Sequence, residues 1–133
     1  MAVAKKRLAL PVPVEQVWER VTSPGESSWR SDLKGVEAAA GGSEFVEIDK
    51  SGIVTRFLVV ECAPCRVYAL ELENENMRGS FRAAFSRGEG GGTVLDMAEE
   101  ARPKKPALHL VIGLYLRAQQ RRYARDLKRV LGV

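Results

Sequence analysis

Histidine and cysteine are nearly missing from this 133-residue sequence, which has one histidine, His109, and two cysteines, Cys62 and Cys65. A structural zinc site needs about four ligands, and no second cysteine pair stands by to complete one. Cys62-Ala63-Pro64-Cys65 is a C-x-x-C, but redox use expects that spacing at a helix N-terminus in a βαβ unit, whereas here it falls across a hairpin. Two reduced hairpin thiols are expected, with no metal and no cofactor. Two cysteines also argue against a disulfide-built secreted domain. His109 has no Asp or Glu within one helical turn to orient it, so a structural or exposed role is favoured over a base, and neither a Ser-His-Asp nor a Cys-His site follows from the spacing.

Long apolar runs are missing too, and none could span a bilayer. After Lys5-Lys6-Arg7 the apolar stretch is only Leu8-Ala9-Leu10 before Pro11 and Pro13, too short for the core of a signal peptide, so a cytoplasmic protein is expected. Gly88-Glu89-Gly90-Gly91-Gly92 lacks the Lys-Ser/Thr that leads a phosphate loop into a helix and reads as a hairpin turn. No repeat or linker divides the chain, so residues 1–133 form a single domain.

What is present is a globular balance, 45% hydrophobic and 29% charged residues, enough for one sizeable core. The net charge of +4 is modest and concentrated. Arg117, Arg121, Arg122, Arg125, Lys128 and Arg129 lie near the C-terminus, opposed there only by Asp126. A solvated outer helix face explains them; binding of nucleic acid or an anionic membrane surface is the sharper alternative.

Residues 106–131 organise the rest. Pro106 suits a first helical turn, and 26 helical residues span about 39 Å. At 100° per residue, Leu108, Ile112, Tyr115, Leu116, Tyr123, Leu127, Val130 and Leu131 form one stripe that must be buried. Leu110 and Leu114 lie opposite and need a second cover, either the N-terminal helices, through Trp18 or Trp29, or a second copy in a homodimer.

Before that helix the pattern is mostly of period two. Strands are expected at Val3–Leu10, Leu33–Ala39, Ser43–Ile48, Ile53–Glu61, Arg66–Glu73, Arg78–Arg87 and Thr93–Ala101. Between the first two, Val14–Val21 has helical spacing, and Glu26–Arg30 suits another helical turn. Short turns join the later strands, so the sheet is antiparallel. The fold class is α+β: an antiparallel sheet of about seven strands, curled around the terminal helix.

Several motifs in this order carry a likeness: Pro13-Val14-Glu15-Gln16-Val17-Trp18 after the first strand, Trp29 followed by Leu33–Glu37, the Pro64 hairpin before Tyr68, Gly91-Gly92-Thr93 opening the last strand, and the closing Leu127-Lys128-Arg129-Val130-Leu131. Over the whole chain the sequence resembles the helix-grip SRPBCC superfamily, which includes START lipid-binding domains and birch-pollen-type allergens. The nearest likeness is to the bacterial polyketide cyclase/dehydrase-like proteins. The resemblance implies a cavity between sheet and long helix but no shared catalytic set.

Phe57, Tyr68, Phe81, Phe85 and Met97 alternate onto the apolar sheet face, Ile112 and Tyr115 face them from the helix, and Trp29 falls where the family's mouth loop would be. They either fill a core or line a cavity. Short Ala69, Ala83 and Ala84 leave room for the second. Thr55 and Glu61 are expected on the face of Phe57, with Glu61 solvated at its strand end. The expected function is binding of a small hydrophobic or amphipathic molecule in that cavity. Cyclase/dehydrase-like catalysis on an aromatic or polyketide-like substrate is the alternative from another class, opposed by the lack of a convergent His/Asp/Glu set.

Overall fold

The structure is a computed structural model that describes residues 1–39 and 41–133. Its strands are β1 (Ala2–Leu10), β2 (Leu33–Ala38), β3 (Glu44–Asp49), β4 (Val54–Ala63), β5 (Val67–Glu73), β6 (Met77–Arg87) and β7 (Thr93–Pro103). Helix α1 spans Val14–Val21 and helix α2 spans Ile112–Leu131. The strands form one sheet in the order β1-β7-β6-β5-β4-β3-β2, antiparallel at every pairing. Hairpin turns set the order from β2 to β7. The exception is β1, which pairs along its whole length with the most distant strand, from Ala2 opposite Ala101 to Leu10 opposite Thr93.

That pairing places α1. β1 and β2 are opposite edges of the sheet, so the chain between them must cross its face. α1 makes the crossing with Val14, Val17 and Val21 buried. Its Trp18 stands edge-on over Phe85 and Tyr68, with ring centroids 5.1 and 6.1 Å away. A 3-10 turn, Pro24–Glu26, and a second turn closed by Arg30 N–H on the Ser27 carbonyl then lead into β2.

The second cover is α2. Ile112, Leu116, Gln120, Ala124 and Leu127 recur at helical spacing on its buried side, and Leu116 and Leu127 are fully enclosed. Truncating either leucine to alanine would cost about 2–5 kcal/mol on the usual scale for core cavities. Gln120 donates from Nε2 to the Ala4 carbonyl at 2.8 Å, fixing the helix over β1. The helix ends at Gly132, whose φ of 78° lets its N–H and that of Val133 return to the carbonyls of Arg129 and Lys128.

α2 starts later than the sequence suggests. Pro106–Leu108 is a 3-10 turn, and α-helix begins only at Ile112. A short helix in water draws its stability from packing rather than propensity. After Pro103, Ile112 is the first buried residue, in a cluster with Ala4, Leu72, Met77, Ala101 and Leu116. Leu108 is therefore half-buried in a turn instead of sitting on a helical stripe, Tyr115 is 43% exposed, and His109 is exposed. Leu110 and Leu114 are 90% and 62% exposed, so α1 and the Trp29 segment do not cover them. No helix among the described residues is long and apolar enough to cross a membrane.

Two irregularities shape the sheet. In β4 the register shifts between Val59 and Glu61: Val59 opposes Leu70, but Glu61 opposes Ala69. One extra residue in a strand reverses the side on which every later side chain points. Glu61 is thus not on the Phe57 face. It is on the outer side, paired with Arg82 at 2.9 Å. In β6, a Cβ on Gly79 would stand 2.0 Å from the Glu100 carbonyl oxygen, so only glycine permits the approach of β7 there.

Candidate functional site: a cavity beneath the C-terminal helix

The buried side chains form two clusters. One surrounds Leu10, Val17, Phe85, Leu95 and Leu127, and the other surrounds Ala4, Leu72, Ile112 and Leu116. Phe57 and Phe81 are half-buried and pack against both. A cavity of about 120 Å³ opens where they meet. Its sheet side is built by alternation: Phe45 on β3, Phe57 on β4, Tyr68 on β5, Phe81 on β6 and Met97 on β7. Phe45 and Phe57 are direct cross-strand partners, and their rings stack at 4.8 Å and 7°. α2 contributes Tyr115, Gln119, Gln120 and Tyr123, and the segment before β2 contributes Trp29 and Arg30.

Of the eight residues singled out from the sequence, Trp29, Phe57, Tyr68, Phe81, Met97 and Tyr115 are on the cavity wall. Phe85 and Ile112 are not. Phe85 is taken up by Trp18, and Ile112 by the second cluster.

The polar residues of the cavity are what the sequence reading missed. Arg30 is almost fully buried and held from every side. Its Nε and Nη2 bond both carboxylate oxygens of Asp32 at 3.0 and 2.9 Å, and its Nη1 reaches Glu47 at 3.3 Å. The guanidinium lies 4.9 Å from the Tyr123 ring centroid and 5.9 Å from that of Trp29, within cation–π range. Burial works against its charge, but Glu47 and Asp32 outweigh this and raise its pKa. Burial pushes the Glu47 carboxyl up, against the pull of Arg30. The Tyr68 hydroxyl is pushed up to about 12, first by burial and then by nearby acidic groups.

Glu99 differs from these. It follows Leu95 and Met97 on the inward face of β7, opposite Phe81, and so points its carboxyl into the cavity. Among the described residues no cation pairs with it. Burial, then repulsion from Glu47, push its pKa up to about 7, against the pull of Arg30. The Trp29 indole N–H is also without a hydrogen-bond partner, and it is buried. The sequence did carry a signal for Glu99 and Glu47, because the alternation that turns Met97 and Phe45 inward turns the residue two places on inward as well. Arg30 comes from an irregular segment, where no period points.

Cys62 is exposed at the end of β4, and Cys65 is half-buried in the tight turn before β5 with φ of 60°; both thiols are free. Among the described residues no group of three or more His, Cys, Asp or Glu could hold a metal ion.

The sequence model of the family described as polyketide cyclase / dehydrase and lipid transport matches residues 1–132. No curated protein matches the sequence. Solved structures with the same fold include a START superfamily protein from Mycobacterium smegmatis, at 14% identity and a TM-score of 0.84 over 96% of this chain and 95% of that one. A conserved protein from Geobacillus kaustophilus superposes at 14% identity and 0.81 over 98% and 95% of the two chains. A protein from Mesorhizobium loti does so at 16% identity and 0.79 over 98% and 96%.

Proposed function

Because this chain belongs to the polyketide cyclase/dehydrase and lipid transport family of the SRPBCC superfamily, we propose that it binds one small, mainly apolar molecule, non-covalently, in the cavity between sheet and α2. The observation that carries this reading is the space itself, about 120 Å³ left open between two packed clusters and walled by aromatic rings. Close-packed interiors rarely leave such a gap. Its size is near that of a cavity of about 150 Å³ that admits benzene, so the ligand portion it takes is a single ring or a short branched chain. Affinity comes from burial, at roughly 25 cal/mol per Å² of apolar surface. The test is native mass spectrometry of the purified protein, followed by titration with benzyl alcohol observed in NMR spectra. A 1:1 complex is expected, and Phe81→Trp should abolish it by filling the space. Unchanged binding in Phe81→Trp would overturn the assignment.

Catalysis of a cyclase- or dehydrase-like kind is supported by one feature, the Glu99 carboxyl, whose pKa near neutrality suits proton transfer. A molecule recovered from the protein and returned to it in excess separates the two readings: binding leaves it unchanged, and catalysis alters it. Nucleic-acid or membrane-surface binding through α2 has less support, since Arg129 is already tied to Asp126 and Arg122 bonds Gln119.

A further inference from the structure

We infer that the ligand of this cavity carries a positively charged nitrogen, for which the Glu99 carboxylate is the counter-ion and the neighbouring rings of Phe81 and Tyr115 the apolar seat. The inference rests on the cavity being a binding site and adds the chemical class of what it binds.

The first support is the pattern of pairing. Buried charges persist when they are paired, and a carboxylate without a partner in such a place is costly. Arg30 has its pairs in Asp32 and Glu47. Asp126 has Ser31 and Arg129. Glu99 has none among the described residues, although it faces open space rather than packed side chains. Among the described residues the nearby polar groups are engaged elsewhere or make no ion pair with it. Arg30 is clamped to two other carboxylates and stacked on Tyr123. The Gln120 amide is spent on the Ala4 carbonyl. Lys6 shares the inner side of β1 but makes no ion pair.

The second support is the sign of the surroundings. Glu99 is faced by Glu47 from β3, by Arg30 and Asp32 from the segment before β2, by Tyr115 and Tyr123 from α2, and by Tyr68 from β5, with exposed Arg20 at the rim. The charged residues lining the cavity are Arg20, Arg30, Glu47 and Glu99. Arg30 is taken by Asp32 and Glu47 and Arg20 is exposed at the rim, so the lining charge left without a partner inside is the negative one on Glu99. An anionic ligand would meet the Glu99 carboxylate unfavourably, and a cation would pair with it. Aromatic faces are the other half of organic-cation recognition, and here they form the wall. Charge-assisted hydrogen bonds from an ammonium to a carboxylate are about twice as strong as neutral ones, and more so away from water.

Binding and protonation then compete. With its pKa pushed up to about 7, Glu99 holds a proton below neutrality and must lose it to pair with a cation.

The experiment uses benzylamine and benzyl alcohol, nearly equal in shape and different in charge, titrated into the full-length protein and into Glu99→Gln at pH 6 and pH 8. Resonances of the Trp29 indole and of residues lining the cavity report occupancy. Wild type should bind benzylamine at least about tenfold more tightly than the alcohol at pH 8, and this preference should shrink at pH 6. Glu99→Gln should bind the two alike, and Phe81→Trp should bind neither. If wild type binds both equally, or prefers the alcohol, the charge recognition is wrong while the cavity reading stands. If neither probe shifts the cavity resonances, the cavity reading falls and this one with it. The comparison between pH values in wild type decides the matter even if Glu99→Gln does not fold.

Discussion

Ser31 donates both its backbone N–H and its hydroxyl to a single carboxylate oxygen of Asp126, each at 2.7 Å. The other oxygen of Asp126 takes Arg129 at 2.6 Å, and the residue is fully enclosed. This bond joins α2 to the irregular segment 95 positions earlier in the chain. The segment is the one that carries Trp29, Arg30 and Asp32. Tyr123 lies one helical turn before Asp126, so the anchor also fixes Arg30 over its ring. One wall of the cavity is thus bolted to another by a carboxylate that does not line it.

Asp126→Ala should therefore cost about 2–4 kcal/mol, because it leaves the Ser31 N–H buried without an acceptor. Urea denaturation of wild type and variant measures it. Burial of Asp126 opposes its charge, but the two bonds from Ser31 and the nearby arginines prevail, and its pKa lies below the ordinary value. For a carboxyl held low in this way, the stabilisation is complete above the unfolded-state pKa and is lost as pH falls through the folded one. The gap between wild type and variant should narrow in acid. A variant as stable as wild type at pH 7 would contradict the anchor.

Glu99 has the opposite sign. Its folded-state pKa of about 7 lies above the ordinary 4.5. Below about pH 4.5 it is protonated in both states and has no effect. Between the two values the unfolded chain gives up the proton and the folded protein keeps it, so stability falls as pH rises to about 7 and stays low above. The displacement corresponds to about 3 kcal/mol. Glu99→Gln removes this loss. Its melting temperature should exceed that of wild type at pH 8 and match it near pH 4.5. An equal gap at both pH values would mean that the carboxyl is solvated in the folded protein.

Alternation made the sheet legible. From β1 to β7 the strands are those expected, to within one or two residues at most ends, because burying one face imposes a period that residue types reveal. The bulge before Glu61 left no such trace. One inserted residue changes no composition, yet it moved Glu61 from the inner face to the outer. The start of α2 was hidden for a related reason: Pro106 to Val111 carry a pattern compatible with a helix, but none of them is fully buried, and without a packed face the α-helix does not extend back through them. The aromatic wall could be read from type and parity. The same parity pointed to Glu47 and Glu99, but not to Arg30, which owes its position to the Ser31–Asp126 bond, a contact between distant parts of the chain.

Leu110 and Leu114 put the sequence reading of α2 under a direct test. Opposite the buried stripe they called for a cover, yet they are 90% and 62% exposed, beside Val111 at 49% and Tyr115 at 43%. Leu114 is the third residue of α2, where a carboxylate meets the positive end of the helix dipole. Leu110→Glu with Leu114→Glu should therefore leave the melting temperature of the monomer within the range of a surface change, about 0.5 kcal/mol in stability. Loss of folding would place both leucines in the core and contradict the late start of the helix. Light scattering on the same two proteins bears on the homodimer considered from the sequence. If wild type self-associates and the variant is a folded monomer, a second copy covers this patch. If wild type stays monomeric at high concentration, the four apolar side chains remain in water, at the solvent-exposed Tyr115 edge of the cavity.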